Sequence, residues 1–75
     1  MNKDRRKQLK ELIKKMDILK CELERIEADE EYAYDSMPEG FQSTLNGMNS
    51  EEAIDKMNEA IEYIDEAIEA IEEIV

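Results

Sequence analysis

Two runs of apolar residues, spaced alternately three and four apart, dominate this sequence and leave few folds open to it. In the first run Leu9, Leu12, Met16, Leu19, Leu23 and Ile26 recur at that spacing, and Ala33 and Met37 hold the same register past Glu30. In the second, Ile54, Met57, Ile61, Ile64, Ile68, Ile71 and Val75 do the same. A repeat of this kind puts one residue per half-heptad on the same side of an α-helix, and the resulting stripe is buried only when the helix packs lengthwise on another. The fold expected is therefore all-α, an antiparallel helical hairpin assembling as a dimeric four-helix bundle or coiled coil.

The second stripe is wider than the first. Ala53, Ala60, Ala67 and Ile74 fall seven apart beside it, which broadens the seam to three residues per heptad and suits a bundle in which a helix has more than one neighbour.

The punctuation agrees with two helices in a single domain of residues 1–75. No Pro or Gly precedes Pro38, so the first helix is expected over residues 3–34, about 48 Å at about 1.5 Å per residue. The connection, residues 35–49, holds the only proline and both glycines. Pro-Glu-Gly at 38–40 and Asn46-Gly47 read as turns, with a short helical turn between Phe41 and Leu45. Asn49 or Ser50 can cap a second helix over residues 50–75, with Glu51 and Glu52 at the positive end of its dipole. Met37, Phe41, Leu45 and Met48 are apolar for a solvated linker and are expected to cover the end of the bundle.

A chain of 75 residues is too short to bury a large core unaided, and small folds of this size are commonly stapled by metal or disulfide. With no histidine and the single Cys21, neither staple is expected, and association of copies is the remaining route. No run of apolar residues reaches the roughly 20 needed for a membrane span. The basic N-terminal segment is not followed by the apolar block of a secretory signal, so a cytoplasmic location without membrane association is expected.

Charge is divided along the chain. Residues 1–25 carry nine Lys/Arg and five Asp/Glu, whereas residues 26–75 carry one Lys and sixteen Asp/Glu, giving the net −11. Folding back as a hairpin would set Lys3, Arg5, Arg6, Lys7, Lys10, Lys14 and Lys15 beside Glu62, Asp65, Glu66, Glu69, Glu72 and Glu73, which favours antiparallel packing.

Chemistry has little to work with here. There is no histidine base, no glycine-rich phosphate cradle and no nucleophile beside an activating group, so no enzyme, cofactor or catalytic residue is expected. Asp29, Glu30, Glu31, Asp35 and Glu39 do not follow the ligand spacing of a calcium loop, and Glu27 with Glu31 or Glu62 with Glu66 lack the Glu-x-x-His element of a di-iron site. They read as solvated surface, and no metal is expected. Cys21 occupies an outer heptad position. The overall negative charge argues against direct nucleic-acid binding.

The least repetitive segment runs from Glu30 to Ser43, and within it stands Tyr32-Ala33-Tyr34-Asp35-Ser36-Met37-Pro38-Glu39-Gly40-Phe41-Gln42-Ser43, followed by an acidic Ala/Ile-rich helix. It resembles small uncharacterised helical proteins of phages, prophages and mobile elements in Gram-positive bacteria, which share a Tyr-Ala-x-Asp-x-Met-Pro-Glu-x-Phe/Leu-Gln turn. The resemblance spans about half of the chain. It implies a phage-type origin, hence the host cytoplasm, and no catalytic residues.

The function expected is a non-enzymatic protein–protein interaction module that self-associates, with a dimer favoured, and binds and blocks a basic host protein. Candidate contacts are Tyr32, Tyr34 and Phe41 in the connection, and Glu62, Glu66, Glu69 and Glu73 on an acidic face able to imitate a phosphate backbone. The rivals are a purely structural bundle whose only partner is itself and an oligomer that sequesters a small ligand between subunits.

Overall fold

A computed structural model describes all residues, Met1–Val75. Three helices follow in order, α1 (Lys3–Asp35), a single turn α2 (Glu39–Gln42) and α3 (Leu45–Glu72). The two long helices pack against each other as an antiparallel hairpin, a rod of 58 × 15 × 12 Å. No strand is present.

Local chemistry accounts for the helix ends. The Asn2 Oδ1 accepts a hydrogen bond from the Arg5 amide at 2.8 Å, closing the start of α1. At its other end the Gln42 side-chain amide donates to the Tyr34 carbonyl at 3.1 Å, which also accepts from the Met37 amide, and to the Met37 carbonyl at 3.4 Å, tying the connection to the helix terminus. Pro38 stops α1 and starts α2, its carbonyl accepting from the amides of Phe41 and Gln42. Pro-Glu-Gly is thus the entry to a helical turn, which lies earlier than the expected position between Phe41 and Leu45.

The second long helix begins at Leu45 rather than near Ser50. Its cap is Thr44, whose hydroxyl accepts from the Gly47 amide at 3.4 Å and donates to the Phe41 carbonyl at 2.5 Å. Asn46-Gly47 therefore lies in the first turn of α3, and Glu51 and Glu52 stand beyond that turn, too far in to serve its dipole. Gly47 is needed for closeness. A Cβ at that position would overlap the backbone carbonyl of Gln42, where the connection crosses the helix. No residue of the chain has a positive φ.

The hairpin encloses little core. Ile68 is the only buried apolar side chain, at 6% exposure, and nothing in α1 is buried. The radius of gyration is 17.2 Å, against about 11 Å for a compact chain of this length.

Candidate interaction surfaces

The seam between the helices uses a different row of α1 from the one the heptad pattern singles out. Leu9, Met16 and Leu23 face α3 as expected, but the residues beside them in the half-buried set are Ile13, Lys20, Glu27 and Tyr34. Leu12, Leu19 and Ile26, expected in that seam, are 44%, 57% and 52% exposed. On α3 the expected residues Ile54, Met57, Ile61, Ile64, Ile68 and Ile71 all turn inward.

What rotates α1 is a polar ladder. Lys20 Nζ donates to Asp65 at 2.6 Å, the Asn58 amide donates to Glu27 at 3.4 Å, and the Tyr34 hydroxyl donates to Glu51 at 3.4 Å. Successive rungs step seven residues forward along α1 and seven back along α3, so one register runs the length of the hairpin. Short, charge-assisted contacts such as Lys20–Asp65 fix orientation more than they add stability. The Asp65 hydrogen bond raises the Lys20 pKa above its ordinary value of 10.5, against the opposing effect of desolvation. Desolvation, joined by the Glu51 charge, raises that of Tyr34.

The ladder closes one edge of the hairpin, and helical geometry puts the apolar residues left over on the other. Both helices are right-handed and antiparallel, so seen from one end their residue numbers ascend in opposite senses, and the Leu12/Leu19/Ile26 row and the Ala53/Ala60/Ala67/Ile74 row both flank the seam on the side away from the ladder. Ala60 and Ala67 are half-buried there, and Ala53 and Ile74 are exposed. Leu12, Leu19 and Ile26 thus border the seam on that edge with about half of their surface exposed.

The charged surfaces lie elsewhere. Glu62, Glu66, Glu69 and Glu73 are all exposed along α3, where no cation follows Lys56. Lys56 itself pairs within its own helix with Glu59 at 3.3 Å. Glu59 also accepts from the Tyr63 hydroxyl at 2.7 Å, and that bond, ahead of Lys56, lowers the Glu59 pKa while raising that of Tyr63. On α1 the hydrogen bond and charge of Glu27 raise the pKa of Glu31. The broad pairing of basic α1 with acidic α3 is not what forms. Lys20–Asp65 is the only ion pair between the two helices, and Lys3, Arg5, Arg6 and Lys7 stand exposed without one. For Lys3, Arg5, Arg6 and Lys7 the register explains why. Glu72, the last helical residue of α3, falls opposite Ile13, and the first turns of α1 run past it.

At the connection the candidate residues divide. Tyr32 and Phe41 are exposed, whereas Tyr34 is half-buried with its hydroxyl in the ladder, a place that makes it a structural contact rather than a free anchor. Leu45 and Met48 are also exposed, so the apolar connection covers only part of the bundle end. Shallow hollows lie between Met37, Pro38 and Phe41 and beside Leu45 and Met48. Cys21 is exposed and free. No helix is long and apolar enough to cross a membrane.

Fold and surfaces together define an α-helical hairpin with polar cross-links along one edge and half-exposed apolar side chains along the other. Comparison of the chain with protein-family models, with characterised proteins and with solved structures gives no match.

Proposed function

We propose that the protein is a non-enzymatic interaction module that works as a homodimer, two hairpins joining their open faces into a four-helix bundle. The observation that carries this reading is the row of Leu12, Leu19 and Ile26 on the same side as the alanine row of α3. Alanines allow close approach and leucines fill the space above them, which is how bundle cores are built. Area supports the same conclusion. The chain exposes 5894 Å², whereas a compact monomer of its mass exposes about 4,800 Å². The excess of roughly 1,100 Å² is comparable to the ~800 Å² that each partner contributes to a stable interface.

The test is the solution mass. Light scattering is expected to give two chains, and Leu19→Glu, which puts a charge into the shared face, is expected to give one. Ile18→Glu, on the outer side of α1, is expected to leave the mass unchanged. A wild-type mass of one chain would sink the reading.

A second role, as a blocker of a basic host protein, is favoured by the exposed carboxylates Glu62, Glu66, Glu69 and Glu73, which form an uninterrupted anionic face on α3. The phage-type resemblance of residues 32–43 supports a partner of that kind, with Tyr32 and Phe41 as further contacts. Charge reversal of the four glutamates is expected to abolish salt-sensitive competition with DNA for the partner while leaving the dimer mass intact.

A further inference from the structure

The distribution of charge along the rod says how the second copy lies. Residues 1–10 carry five Lys/Arg and one Asp, and Lys3, Arg5, Arg6 and Lys7 sit on turns that run past the end of α3 with no ion pair. At the opposite end, no Lys or Arg occurs between Arg25 and Lys56, and nine carboxylates occupy that span. Glu51, Glu52 and Asp55 there line one hollow with the exposed side chains of Leu45 and Met48, and Glu31, Asp35 and Glu39 are exposed at the same end of the rod.

We propose that the two hairpins of the dimer lie antiparallel, each copy laying its projecting basic turns over the acidic tip of the other. The proposal rests on the dimer reading and adds the direction of docking. Two-fold symmetry makes the contact occur twice, once at each end of the bundle. A parallel dimer would instead set basic turns beside basic turns and one tip beside the other, and like charge in register opposes association. The apolar side chains of the tip suit the same occupant. Arginine and lysine cover apolar surface with their methylene stems while their charged ends reach carboxylates. The overhang is long enough to serve, because Lys3–Leu12, which precede the residue opposite Glu72, span roughly 15 Å as helix.

Cross-linking reads the direction. In a Cys21→Ser background, Arg5→Cys and Glu39→Cys chains are prepared separately, mixed and treated with a short bismaleimide. Within one chain positions 5 and 39 are about 45 Å apart along α1, so a link between them joins two copies. The mixture is expected to give covalent dimers that contain one chain of each kind, and neither chain alone is expected to give any. Links formed by Arg5→Cys alone or Glu39→Cys alone would overturn the antiparallel docking while leaving the dimer standing. A wild-type light-scattering mass of one chain would overturn both. As a second measure, Arg5→Glu/Arg6→Glu/Lys7→Glu is expected to raise the dimer Kd about tenfold at low salt. Adding Asp35→Lys/Glu39→Lys/Glu52→Lys, none of which is a rung of the ladder, is expected to recover it. Failure of that exchange to recover association would also overturn the docking.

Discussion

At the scale of single residues, the two glycines show how similar positions can be held by different physics. Gly47 sits where a methyl group would meet the Gln42 carbonyl, a backbone atom that cannot swing aside, whereas a Cβ on Gly40 would meet nothing within 4 Å. Neither has a positive φ. Gly47→Ala is therefore expected to cost about 1–3 kcal/mol by overpacking. Gly40→Ala is expected to stabilise by about 0.4–1 kcal/mol through the entropy of the unfolded chain. Urea denaturation of both variants measures the difference. Lys20 makes a prediction of a different kind. Its pKa is raised in the folded state by Asp65, so its contribution is fully present below its ordinary value of 10.5 and is lost as pH rises through the folded value. Thermal melts of wild type and Lys20→Met should differ by a constant amount from neutral pH up to that value, with the wild type losing ground above it. A difference that stays constant to high pH would refute the coupling.

At the scale of elements, the helices were legible and their ends only in part. The start of α1 at Lys3 followed from an uninterrupted helical run, because propensity is local, whereas its cap, Asn2, came only with the structure. The start of α3 was not legible, because two plausible caps compete. Asn49 and Ser50 precede an obvious apolar run, yet Thr44 is the residue whose hydroxyl meets a free amide. Asn46-Gly47 has the composition of a turn but becomes helix, since the close crossing of the connection requires a residue without a side chain there. Thr44→Ala is accordingly expected to destabilise by about 1 kcal/mol. Ser50→Ala, within the helix, is expected to stay inside about 0.5 kcal/mol of wild type. Equal effects in chemical denaturation would place the cap elsewhere.

At the scale of the whole molecule, the proposed dimer has a thermodynamic consequence. A rod with a single buried apolar side chain has little to offset the conformational entropy of ordering about sixty helical residues. Stability should then depend on the second copy by mass action, and the melting temperature should rise with protein concentration. Leu19→Glu is expected to remove that dependence together with the dimer, and Ile18→Glu to retain it.

The heptad spacing by itself determined that the chain forms two long helices, and it marked the apolar surface of each, because the positions that share a helix face are set by the local 3.6-residue turn. It also marked the acidic row of α3, as residues of one sign at helical spacing must share a side. Only the tertiary structure decided which flank of the Leu9/Met16/Leu23 row meets α3. Leu12, Leu19 and Ile26 are the more apolar flank and so the natural choice from pattern alone. Lys20, Glu27 and Tyr34 are chosen instead, because each finds a polar partner on α3 in one shared register. That small rotation of α1 about its axis puts the leucines on the outside, and a pairing between residues distant in sequence is not written in the periodicity of either helix.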